Sequence, residues 1–124
     1  MNHRLAIAIE ENLNEERVAE HFGRCSKILV FELNEKKEVI KKENYFNPLN
    51  GHHGGICQLP GYISQYNINT IIAGGMGRKA IANFQSFGIE VITAPGMNSE
   101  EALSDFKKGK LSGYKECAGH SHDC

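Results

Sequence analysis

The segment Lys27–Leu33, KILVFEL, is a nearly continuous apolar run of strand length. Such a strand is buried on both faces, so the sheet that holds it needs a layer on each side. Its surroundings supply the other parts. Leu5 to Ile9 reads as a second strand, with Leu5, Ile7 and Ile9 on one face and only alanines on the other. Those small residues let a helix pack close. Asn34-Glu35-Lys36-Lys37 is a polar turn, and Glu38 to Glu43 is a charged strand whose lysines suit a sheet edge. The first third therefore predicts a three-strand antiparallel meander. The polar stretch Asn14 to Glu20 between its first two strands reads as a short turn or helical start.

The second half alternates. After a polar loop over Asn44 to Gly55, residues Leu59, Tyr62, Ile63 and Tyr66 are spaced for one buried helix face, with Pro60 in the first turn. Thr70 to Ala73 is a strand, Gly74 to Gly77 a turn, and Arg78 to Phe87 a helix burying Ile81, Phe84 and Phe87. Gly88 follows it as a helix-ending residue. Glu90 to Thr93 is a strand. Asn98 or Ser99 caps a last helix through Leu103 and Phe106, with Glu100 and Glu101 in its first turn and Lys107 and Lys108 near its end. Strands alternating with helices imply parallel pairing. The expected class is α/β, a mixed sheet of about five strands with helices on its faces. Residues 1–113 form one domain in this reading, and 114–124 a flexible tail.

Composition removes several function classes. The net charge is −1, which argues against a broad footprint for nucleic acid or an anionic membrane. No apolar run approaches the roughly 20 residues that span a bilayer. The beginning, MNHRLAIAIEEN, has too short an apolar stretch for a signal peptide. A cytoplasmic location is expected, where four cysteines suggest metal or redox chemistry over disulfides.

The chain has four cysteines and six histidines, and all but His3 fall in three short clusters. HFGRC holds His21 and Cys25 with Arg24 between them. HHGGIC holds His52, His53 and Cys57 at the start of the first helix. CAGHSHDC holds Cys117, His120, His122 and Cys124. Thiolate and imidazole are ligands for zinc, copper and iron–sulfur units. A thiol at a helix start has its pKa lowered, and the same N–H groups favour an anion such as a sulfide-rich cluster. Each cluster also has a plain reading. Cys25 can be a small buried residue opening its strand, Cys57 can pack under its helix, and the tail can be a polar tail with incidental metal affinity. Gly75-Met76-Gly77-Arg78-Lys79-Ala80 satisfies the G-x-G-x-x-A form of a dinucleotide site. It falls mid-chain, and no carboxylate ends the next strand, so a close-packed strand–helix turn explains the glycines at least as well. Arg78 and Lys79 at the helix entry leave a role beside an anionic ligand open.

The order of these motifs resembles the dinitrogenase iron–molybdenum cofactor biosynthesis family. The carriers of the resemblance are the first strand, His-Phe-Gly-Arg-Cys, KILVFEL, HHGGIC before a helix, IIAGGMGRKA, and GIEVITAP, covering roughly Arg4 to Leu111. The resemblance implies a ribonuclease H-like α/β fold with a mixed five-stranded sheet. It also implies non-covalent binding of iron–sulfur or molybdenum-containing clusters, with His21 the natural ligand candidate.

The expected function is non-enzymatic: binding, storage or transfer of a metal–sulfur cluster between donor and acceptor proteins. His21, Cys25 and Cys57 are the expected ligands. His52 or His53 closes the site, and Arg24 and Lys79 offset cluster charge. Cys117, His120, His122 and Cys124 are expected to take up zinc or copper. The rivals are a nucleotide- or thiol-dependent enzyme using the GGMG turn or Cys25 and Cys57, and a regulatory partner protein whose tail alone binds metal.

Overall fold

A computed structural model describes residues 2–12, 15–22, 25–46 and 59–114, without the side chains of 12, 59 and 60. The elements in chain order are β1 (His3–Asn12), β2 (Glu15–Val18), β3 (Lys27–Leu33), β4 (Val39–Phe46), α1 (Leu59–Ser64), β5 (Thr70–Ala73), α2 (Arg78–Ser86), β6 (Glu90–Thr93) and α3 (Ser99–Lys107). One mixed sheet runs β4-β3-β1-β5-β6, with β2 paired to β1 outside this path. The meander is antiparallel: Ile7 opposes Leu29 in β1–β3, and Val30 opposes Glu43 in β3–β4. β5 and β6 run parallel to β1 and to each other. The mixed α/β architecture thus follows the sequence pattern.

The alternation in β1 divides the core. Ala6 and Ala8 join Ile28, Val30, Ile63, Ile71, Ala80, Ile81 and Phe84 under α1 and α2. Leu5, Ile7 and Ile9 join Leu29, Phe31, Leu33, Ile72 and Ala102 under α3. β3 contributes to both layers, which is why its sequence is apolar throughout. β4 is the edge strand: most of it is exposed, Lys41 and Lys42 lie on it, and its register with β3 shifts beside Glu32 and Leu33. Charged, irregular edges resist pairing with other chains.

Four expectations need correction, the simplest being that Asn44 to Phe46, expected in the polar loop, extend β4. Residues 15–18 form β2, not a turn or helical start, so the sheet has six strands where five were expected. The segment EERV buries only Val18, too few apolar positions for alternation to register as a strand. Phe87 is not on the buried face of α2. It caps the helix at its C-terminus and is 51 % exposed. Tyr66 lies beyond α1, although its ring still packs on the core.

The end of the sheet where β1 begins is tied by side chains. Arg4 donates to Glu32 at 2.8 Å, to Glu43 at 2.6 Å and to the Tyr66 carbonyl at 2.9 Å, joining three strands to the segment after α1. Burial works against the Arg4 charge, but the bonds to Glu43 and Glu32 outweigh it and raise the pKa. The Tyr45 and Tyr66 rings stack with centroids 3.7 Å apart. Burial and the bond to Tyr62 push the Tyr66 hydroxyl up to about 12. On the other face His3 bonds Thr70 at 2.8 Å, and Thr70 donates to Glu90 at 3.1 Å.

Candidate functional site

The opposite end of the sheet, outside the carboxyl ends of β1, β5 and β6, is where open α/β sheets place ligands. Here it is built by backbone. β2 folds back on β1, so Val18 opposes Ile9 and the Ala19 N–H bonds the Ala8 carbonyl at 2.7 Å. β2 thus takes up the edge of β1 where β5 stops. The Gly74 N–H then bonds the Ala19 carbonyl at 2.7 Å, and the Phe22 N–H bonds the Gly75 carbonyl at 3.0 Å. Two motifs distant in sequence, HFG and AGGMG, are stitched together.

Gly74 permits the stitch. A Cβ there would lie 2.8 Å from the Ala19 carbonyl oxygen and 3.0 Å from the Glu20 Cα. Both neighbours are backbone and cannot swing away. Close packing of this turn therefore accounts for the first glycine of the run. Met76, 1 % exposed, is core. That steric reason belongs to Gly74, which precedes the G-x-G-x-x-A spacing of Gly75 to Ala80.

Phe22 fixes the loop from below. It is 1 % exposed and meets Phe84 of α2 edge-on at 5.2 Å. With Phe22 anchored inward, its neighbour His21 is left exposed at the surface. Cys25 lies on the inner side: it is fully buried among the residues under α1 and α2, and its N–H bonds the Phe22 carbonyl at 3.1 Å. The two candidate ligands of HFGRC thus occupy different environments, one solvent-facing and one in the core. For Cys25 to reach a metal at the surface, the loop must open.

Lys79 and Arg78 are exposed in the first turn of α2. That turn has no acidic residue, and its N-cap Gly77 supplies no side-chain bond. Two cations thus sit at the positive end of a helix dipole, where anions are favoured and cations are not. Among the cations near this end, Lys27 pairs with Glu16 and, at 3.4 Å, with Glu11, and Arg17 with Glu15 at 3.5 Å. The bond to Glu16 raises the Lys27 pKa against burial, and the Glu16 carboxyl is held below its ordinary range by the same bond.

β4 ends at Phe46, whose register partner is Lys27, the first residue of β3. The chain therefore leaves the sheet for residues 47–58 at the end that carries His21. His52, His53 and Cys57 lie in that stretch, outside the described residues; Arg24 and the tail candidates Cys117, His120, His122 and Cys124 also lie outside the described residues. Among the described residues, no group of three or more His, Cys, Asp or Glu side chains is placed to hold a metal ion. No described helix is long and apolar enough to cross a membrane. Sequence reasoning missed Gly74 and Ala19 as the pair that builds this end. The Gly74-Gly75 doublet after a four-residue strand was the signal.

A mixed α/β sheet with a glycine-stitched loop and a cation-bearing helix entry at one end defines a small α/β domain. Residues 3–109 match the family described as dinitrogenase iron-molybdenum cofactor, and the chain belongs to that family. Membership ties it to a cofactor-related role. An uncharacterized protein of Methanocaldococcus jannaschii, MJ0580, is 33 % identical over 113 residues, covering 90 % of this chain and 92 % of its own. The crystal structure of PH0822 superposes with a TM-score of 0.70 at 28 % identity, covering 88 % of this chain and 92 % of that one. The apo form of the orange protein from Desulfovibrio gigas has the same fold, with a TM-score of 0.71 at 21 % identity and 94 % of each chain covered.

Proposed function

We propose that this chain is a non-enzymatic carrier of an anionic metal–sulfur cluster, iron–sulfur or molybdenum-containing, bound as cargo at the carboxyl end of the parallel strands. The observation that carries the proposal is the convergence at that end. The exposed His21, the two cations opening α2 and the point where the chain enters 47–58 all belong to one end of one sheet. His21 ligates through a ring nitrogen and Cys57 as a thiolate, and His52 or His53 closes the site. Cys25 joins as a thiolate when the loop opens, because its sulfur is held in the core. Arg24 and Lys79 offset the charge of the cluster. Ligation by few groups, with His21 exposed, suits cargo that must be released to an acceptor.

The same reading makes residues 1–113 the carrier domain and 114–124 a tail in which Cys117, His120, His122 and Cys124 hold zinc or copper. It places the protein in the cytoplasm, between cluster donor and acceptor proteins of cofactor assembly. The sheet belongs in this reading to the ribonuclease H-like class, an assignment supported by the antiparallel meander followed by two parallel strands.

The test is anaerobic reconstitution of the full chain with iron and sulfide, then with thiomolybdate, reading metal content and visible absorption. Stoichiometric coloured loading is expected, lost in His21→Ala and Cys57→Ala and kept when residues 114–124 are deleted. Cys25→Ala is measured alongside a thermal melt, since it also removes a core atom. Loading that disappears with the tail deletion alone overturns the proposal.

A further inference from the structure

The second concentration of charge lies at the other end of the molecule. Lys36 and Lys37 form the β3–β4 turn, which follows Leu33, the partner of His3 at the start of β1. Lys107 and Lys108 end α3, whose Phe106 ring lies 5.4 Å from that of His3. Between turn and helix is a groove of about 380 Å³. Leu103 and Ser104 line it, and Glu100 contributes the one carboxylate to its wall.

These lysines differ from the others on the sheet. Lys27 and Lys41 are paired with carboxylates, and Lys42 lies 5.8 Å over the Phe31 ring. None of the four groove lysines makes an ion pair among the described residues. A generally basic composition is not the cause, because the chain has 14 basic and 15 acidic residues. Offsetting a helix dipole accounts for Lys107 and Lys108 but not for the turn.

The turn is rigid and strained. The Asn34 side-chain oxygen accepts from the N–H of Lys36 at 2.9 Å and of Glu38 at 3.0 Å, and the Lys37 N–H bonds the Asn34 carbonyl at 2.9 Å. Lys37 is held at φ 64°, the left-handed region that glycine or asparagine occupies at less cost. A lysine at a glycine position is poor for stability and good for presenting a charge.

We infer that this groove docks an acidic, extended segment of a partner protein, its carboxylates meeting Lys36, Lys37, Lys107 and Lys108 and an apolar side chain resting on Leu103. Charge complementarity fixes the sign of the partner. The groove is compact and apolar-floored and has no arginine, unlike the long basic stripes that track a phosphate backbone. Lying at the opposite end from His21, it leaves the proposed cargo site uncovered, so docking does not depend on what that site holds.

The test is a titration of the isotope-labelled full chain with a short Asp- and Glu-rich peptide carrying a central Leu, followed by amide NMR shifts. Saturable shifts confined to residues 36–38 and 100–108 are expected. The double substitution Lys107→Glu, Lys108→Glu should weaken binding by at least about tenfold, and Lys41→Glu should leave it unchanged. Lys37→Gly should raise the melting temperature yet weaken binding, an outcome that a purely structural lysine does not give. The inference is overturned if no saturable shifts appear, if the reversed variant (shown folded by its melt) binds like the parent, or if an oligonucleotide or anionic vesicles shift the same residues more strongly.

Discussion

Helices α2 and α3 are each nine residues long and pack on opposite faces of the same sheet, yet they begin in opposite ways. α3 follows every rule of a helix start. Asn98 accepts from the Glu101 N–H at 2.8 Å while Glu101 reaches back to the Asn98 N–H at 3.2 Å. Glu100 and Glu101 lie at the positive end of its dipole and Lys107 at the negative end. α2 has no side-chain cap, no acidic residue in its first turn and two cations where anions belong. Its good chemistry is at the far end. There the Gly88 N–H bonds Gln85 at 3.0 Å, the Ile89 N–H bonds Phe84 at 2.9 Å, and Ile89 and Phe84 share the core. α3 is thus made stable by its own sequence. α2 is held by its neighbours and its tail end, and its first turn carries two cations and no acidic residue at the end where the cargo site is proposed.

The contrast breaks first at Gly74. If packing against Ala19 and Glu20 is what holds the entry to α2, Gly74→Ala destabilises the protein by about 3 kcal/mol, an overpacking cost against rigid backbone. Urea unfolding measures it. A change near zero would show that the turn relaxes and that the stitch to the HFG loop is not fixed by sterics.

Gly88→Ala makes the same chemical change for a different reason. Nothing lies within 4 Å of the added carbon, so only the φ of +74° opposes it. The expected loss is about 1.5 kcal/mol, smaller than at Gly74. If the two glycines cost the same, the separation of steric from conformational causes fails. At α3, Asn98→Ala removes one half of the capping box, and a loss of about 1 kcal/mol is expected in the same assay. Asn98→Asp should retain most of the stability, since its oxygen still accepts from Glu101.

Much of this was legible in the chain. KILVFEL required two layers, the alanine face of β1 marked where helices approach, and Asn98 with Glu101 announced the start of α3. Gly88 marked the end of α2. What escaped was what depends on tertiary pairing. EERV buries only Val18, and nothing local says that its backbone pairs with β1 and ends under Gly74. Phe87 fits the apolar stripe of α2, but the turn at Gly88 sends the chain back to the sheet and leaves that ring outside. The site was legible as chemistry more than as geometry. HFG placed His21 on a loop, and the Phe22 anchor beneath it explains why the histidine faces solvent. Cys25 is buried in the same core cluster as Phe22 and Ile28, a placement that no spacing between His21 and Cys25 encodes.

The smallest effect is the most informative about why α2 begins badly. Lys79→Glu places a carboxylate at the positive end of the dipole, and the position is exposed, so no packing is lost. Stability should rise by about 0.5 kcal/mol. In the reconstitution assay the same variant should load less cluster, because a repelling charge replaces an attracting one beside an anionic cargo. Lys79→Gln separates the two halves of the argument: removing the cation should recover part of the stability gain and lose part of the loading. A gain in stability with loading untouched would mean that the cationic entry of α2 serves something other than the cargo. A loss of stability would mean that Lys79 makes a favourable interaction at this end, and the contrast between the two helices would rest on the missing cap alone.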